Sequence, residues 1–186
     1  MILLVLGIAL WWAAHLFKRL APGPRAAMET KMGNGAKGVV ALALLISVVL
    51  MVIGFRTSDF IDVYYPPSWG IHLNNLLMLI AVVLFGLGNS KSRLRGKMRH
   101  PMLTGMLTWA VAHLLVNGDL SSVLLFGLLG VWAIVEMLVI NGAERDYSSW
   151  EGGSLAGDIR LAVITLVVFA LIAGIHTWLG YYPFPQ

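Results

Sequence analysis

Cysteine is absent from the 186 residues. That excludes disulfides, iron–sulfur clusters, haem attached through a CxxCH motif, thiolate-ligated haem and cysteine nucleophiles. Charge is scarce too: 12% of the residues are charged, where a soluble domain carries roughly 25%. Hydrophobic residues make up 59% of the chain, and the mean hydropathy is +0.82. A water-soluble fold of this length has too little interior to hide so much apolar surface. The composition is that of a membrane protein. No stretch alternates apolar and polar residues, which argues against a membrane barrel. A soluble domain, a low-complexity tract and an internal repeat are also lacking. A single transmembrane domain over residues 1–186 is expected.

A hydrocarbon core about 30 Å thick takes roughly 20 apolar residues per helix. Six stretches meet that length: Met1–Leu20, Gly38–Phe55, Ile71–Ser90, His100–Asn117, Leu120–Ile140 and Ile159–Gly180. The expected fold is therefore all-α, a polytopic bundle of six transmembrane helices. The first stretch lacks a basic leading segment and a small-residue cleavage site, so it reads as a helix of the mature protein. Twelve of the 13 Lys and Arg fall in the odd-numbered connections, and only Arg56 lies on the opposite side. Positive charge stays cytoplasmic. Both termini are thus expected on the outer, periplasmic side of a bacterial inner membrane. Phe55, Phe60, Tyr64, Tyr65 and Trp69, with Trp178, Tyr181, Tyr182 and Phe184, suit an aromatic belt at that outer interface.

Ionisable groups within spans are costly and point to function. Five histidines lie in or at the ends of the spans, with Glu136 as the one acid well inside. Depth along the helices sorts them into two layers. His15, His100 and Glu136 form an inner layer; His72, His113 and His176 form an outer one. His100 and His113 lie about 220° apart around their helix and cannot share a face. Neutral imidazole is a common ligand of transition metals and haem iron. The plainer reading of each histidine is a hydrogen bond to a neighbouring helix, most of all for His72 beside Asn74 and Asn75. Glu136 suits a proton relay, a neighbour of a haem propionate, or a neutral interhelical hydrogen bond. Trp109, one turn before His113, either walls a flat cofactor or packs. Gly105, Thr108 and Ala112, with Gly127 and Gly130, make small-residue stripes for close helix contact. The basic run Lys91–Arg99 reads as a topology anchor that touches anionic lipid; nucleic acid is not an expected partner.

Three segments carry a family resemblance: Trp11-Trp12-Ala-Ala-His15-Leu, Arg99-His100-Pro101-Met-Leu-Thr-Gly105 and Trp109-Ala-Val-Ala-His113-Leu-Leu-Val-Asn117-Gly118-Asp119. With Asn141-Gly142-Ala-Glu144-Arg145-Asp146 after them, they resemble the NnrU family of bacterial inner-membrane proteins. That family is linked to nitrite and nitric oxide reduction in denitrification. The chain also looks similar to zeta-carotene isomerase, a haem b protein. This resemblance implies haem b with His113 and His15 as ligands of the iron, and denitrification or respiratory membrane proteins as partners. By depth, His15 and His113 stand roughly 10–15 Å apart along the membrane normal. Depth alone would pair His15 with His100, or His113 with His176. Arg99-His100-Pro101 followed by Gly105 is similar to membrane isoprenylcysteine carboxyl methyltransferases, partly echoed by Glu144 and Tyr147. This second resemblance implies S-adenosylmethionine at the cytoplasmic edge, beside His100, and a lipophilic substrate. A non-catalytic accessory subunit is the third reading.

Overall fold

A computed structural model describes residues 1–184. It is all-α, with seven helices among the described residues: α1 Ile2–Leu20, α2 Pro22–Met32, α3 Gly35–Arg56, α4 Gly70–Leu87, α5 Pro101–Leu114, α6 Leu120–Ala143 and α7 Leu155–Trp178. Five of them, α1, α3, α4, α6 and α7, are long and apolar enough to cross a membrane. The protein is a multi-pass membrane protein. Their apolar faces stay largely uncovered by protein, as lipid-facing surfaces do.

The expected fourth span is not carried at full length, so the structure supports five spans and a short helix where six spans were expected. α5 has 14 residues, which makes it about 21 Å long. It starts where it must, because Pro101 occupies its first position and His100 before it is held out of helical geometry. At the other end the connection after α3 folds over it. Tyr64 donates its hydroxyl to the carbonyls of Leu114 and Asn117, the latter at 2.8 Å. Val63 and Tyr64 donate their N–H groups to the Gly118 carbonyl, and Leu120 N–H bonds Ile61. A side chain on Gly118 would collide with the Tyr64 carbonyl. Tyr64 is therefore a tie within the fold, whereas Tyr65, Trp69 and Trp178 are exposed.

α2 was not expected. Its polar residues read as loop, yet Pro22 opens a helix and Gly33, at φ +53°, ends it. Arg25 and Glu29 pair one turn apart on it at 2.9 Å.

Packing runs in the order α3–α1–α6–α5–α4–α7. The tightest crossing is α1 on α3. There a Cβ on Gly7 would lie 2.7 Å from the Met51 nitrogen, and one on Gly54 would strike the backbone of Leu4. Leu4, Ile8, Met51 and Leu129 form the buried core beside it. Of the two expected small-residue stripes, Gly105 lets α5 lie against Ala81, Leu84 and Phe85 of α4, and Gly130 meets Ala110. Gly127 faces open space, and Thr108 bonds the Thr104 carbonyl of its own helix.

Candidate functional site

A motif occurs twice. Trp11 and His15 stand one turn apart on α1, and Trp109 and His113 stand one turn apart on α5. Residues four apart share a helix face, so each tryptophan lies over its histidine. Ring centroids are 4.2 Å apart in the first pair and 4.9 Å in the second. In both pairs the imidazole Nδ1 bonds the carbonyl of that same tryptophan, at 3.0 Å for His15 and 2.9 Å for His113. A carbonyl only accepts, so Nδ1 carries the proton and Nε2 keeps its lone pair.

The middle helix supplies a third ring to each pair. Trp132 of α6 meets His15 edge-on at 4.6 Å and Trp11 at 5.3 Å. Phe126 of α6 stacks on His113 at 4.4 Å, 24° from parallel, and meets Trp109 at 4.9 Å. Two aromatic nests result, an inner one around His15 and an outer one around His113. Trp132 and Phe126 were not singled out from sequence. Their place within the spans marked the histidines, and Trp109 one turn before His113 was noted, but nothing marked their α6 partners.

The nests differ in what surrounds them. Near the inner nest, the indole N–H groups of Trp11, Trp12 and Trp132 and the Oε2 of Glu136 are buried without a hydrogen-bond partner. Glu136 stands one turn beyond Trp132 on α6, within electrostatic reach of Arg19. The outer nest has a second imidazole within such reach, His176 of α7. His176 repeats the tautomer, with Nδ1 bonding the Ile172 carbonyl at 2.8 Å.

The expected site residues are thus placed as follows. His15 and His113 face the same helix at different levels, since Trp132 and Phe126 are six residues and about 9 Å apart along α6. They are not brought together. His100 joins neither; its Nε2 bonds Asn141 Oδ1 at 2.8 Å. His72 is exposed at the start of α4, while its neighbours Asn74 and Asn75 tie α4 to the Ala112 and Pro183 carbonyls.

Does this donor set suit a haem? An imidazole anchored through Nδ1, with Nε2 free, is the form that binds iron. His15, His113 and His176 all have it, and flat aromatic walls suit a porphyrin. Individually the residues fit.

Two clefts lie away from the nests, at opposite ends of the bundle. At the end rich in lysine and arginine, a cleft of about 530 Å³ runs beside Arg95, Arg99, His100, Tyr147 and Trp150. A smaller one of about 170 Å³ lies between Tyr64 and Asp119. There burial, and then the Asp119 carboxylate, push the Tyr64 phenol above its ordinary 10.0, which keeps it a donor. Near the basic end, Arg19 of α1 bonds Glu144 at 2.8 Å. That hydrogen bond, with the charges of Arg19, Arg99 and Lys18, holds the Glu144 carboxyl below its ordinary 4.5.

A family model described as "NnrU protein" matches residues 3–183. The chain belongs to the NnrU family. Searches of curated proteins and of solved structures find no match. NnrU membership therefore covers both nests and the basic cleft, since all their residues fall inside the matched range.

Proposed function

We propose that this NnrU protein binds haem b in the membrane and supports nitrite and nitric oxide metabolism. His113 is the primary ligand in this reading. The observation that carries it is the His113 ring itself, anchored through Nδ1 to Trp109, stacked on Phe126 and free at Nε2. When bound, the haem would supply an iron able to carry an electron or bind a small diatomic ligand. The chain's own residues orient the imidazole and hold its proton on Nδ1; the aromatic and lipid surroundings exclude water. His15 is the second ligand implied by the family resemblance, and His176 is the alternative offered by matched depth along the helices. The charge distribution supports an inner-membrane placement with both termini periplasmic, because 12 of the 13 Lys and Arg lie at the opposite end and α5, though short, runs between α4 and α6 from the basic end to the Tyr64 end.

The test is spectroscopic. Full-length protein purified in detergent from haem-supplied cells should show a Soret band, and pyridine extraction should identify b-type haem. A colourless preparation would contradict the proposal.

A second reading is a methyltransferase acting on a lipophilic substrate with S-adenosylmethionine. The cleft beside His100 favours it by position and size. Adenosylmethionine should then bind, and more weakly in His100→Ala. No binding by calorimetry removes this reading.

A further inference from the structure

The basic run Lys91–Arg99 is more than a solvated anchor. Its first half is built into the fold. Asp158 of α7 accepts from Ser92 Oγ at 2.7 Å, from Arg93 N–H at 2.9 Å and from Arg93 Nε at 2.6 Å. Ser92 is fully buried there. This junction fixes the connection between α4 and α5 against α7, and the cleft of about 530 Å³ opens beside it.

The cleft's charge is one-sided. Arg95 and Arg99 line it, and no Asp or Glu does. Arg93 has Asp158 and Arg19 has Glu144. Arg95 and Arg99 have aromatic faces instead. Their guanidinium carbons lie 4.8 Å from the ring centroids of Trp150 and Tyr147 respectively. Stacking positions a guanidinium without neutralising it. Each also gives one N–H to a carbonyl, Arg95 to Ser90 and Arg99 to Glu144. A guanidinium has five donors, so both retain unused ones. The Nε of Arg99 is buried with no partner.

The start of α5 reinforces this. Met102 and Leu103 line the cleft, and their N–H groups belong to the first turn, where no intrahelical acceptor exists. His100, at the cap position, offers no side-chain bond to them. Their apolar side chains and Met98 provide a greasy wall next to the cationic one. Two guanidinium groups with no carboxylate bonded to them, open amide donors and an apolar wall suit a tetrahedral anion on an amphiphilic molecule. The sulfonium and ammonium of adenosylmethionine would meet no carboxylate there.

We propose that this cleft binds a phosphate group at the membrane surface, held by Arg95 and Arg99. The group comes either from an anionic phospholipid or from a soluble phosphate compound. The site is independent of haem, so His113→Ala should bind these anions as the wild type does.

The test uses calorimetric titration of the full-length protein in an uncharged detergent. One arm adds pyrophosphate; the other adds short-chain phosphatidylglycerol. Saturation by pyrophosphate assigns a soluble phosphate ligand, and saturation by phosphatidylglycerol alone assigns a lipid headgroup. Arg95→Gln and Arg99→Gln should each weaken binding about tenfold or more. Arg99→Lys, which keeps the charge but loses the planar fork, should recover only part of the loss. Lys37→Gln, exposed near the start of α3, should leave binding unchanged. The proposal is overturned if neither arm saturates, if binding survives both glutamine variants, or if Lys37→Gln weakens it as much as Arg95→Gln. Thermal unfolding of each variant identifies a loss that comes from misfolding; Arg95→Gln removes only a bond within its own connection, whereas Arg99 ties the start of α5 to the end of α6, so Arg95→Gln decides the matter if Arg99→Gln unfolds.

Discussion

The inner and outer nests share a local design and diverge in their surroundings. Each has a tryptophan, a histidine one turn later and an aromatic ring from α6. Each fixes the same imidazole tautomer through the same backbone bond. Helical spacing alone produces that much. The difference comes from the third dimension. The outer nest has a parallel ring stack and a second imidazole in electrostatic reach. The inner nest has edge-on rings, unpartnered indole donors and the carboxyl of Glu136 nearby. The same local motif therefore sits in two settings, against a stacked ring in one place and beside a polar junction in the other.

The largest effect should come from Trp132→Ala, which empties the wall of the inner nest. Trp132 is 4% exposed, and removing a buried tryptophan costs about 3–5 kcal/mol. Thermal unfolding in detergent should show that loss, while any haem at His113 keeps its spectrum in the folded protein. A spectrum that changes along with stability would mean the nests are one site. Next is Tyr64→Phe, at the outer end. It removes a donor shared by two carbonyls near the end of α5, an effect of about 1–2 kcal/mol. Unchanged stability would deny Tyr64 its role in closing off the short helix above the outer nest.

The smallest effect concerns the tie below the inner nest. The Glu144 carboxyl is held below its ordinary 4.5, chiefly by the Arg19 hydrogen bond. A carboxyl lowered in the folded state contributes stability above its unfolded value and loses it as pH falls through the folded one. Glu144→Gln should therefore lower the unfolding temperature slightly at pH 7. The gap from wild type should close as the pH falls below 4.5. A gap that persists in acid would mean that charge is not what the pair contributes. Because Glu144 is exposed, the shift should be small.

Much of this architecture was legible in the sequence. Long apolar runs and clustered basic residues mark the five long helices and the basic end. Pro101 marks the start of α5. The depth layers of His15 and His113 follow from residue counting, and the structure keeps them on separate levels of α6. What was not legible depended on contacts between distant segments. Tyr64 has the composition of a belt residue, and only its meeting with Leu114 and Asn117 makes it a cap. The end of α5 was hidden because Leu115 and Val116 are as apolar as the helix before them. α2 was hidden because its polar residues lack a periodic apolar face. Phe126 and Trp132 sit in an unbroken apolar run, where no contrast separates a ring that packs on a histidine from a lipid-facing side chain.

In the proposed haem site His113, not the matching His15, is the primary ligand. Visible absorption spectra of His113→Ala and His15→Ala, purified alongside the wild type from haem-supplied cells, test it most directly. The Soret band should disappear in His113→Ala and survive in His15→Ala. Full haem content in His113→Ala, or a band lost only in His15→Ala, would contradict it.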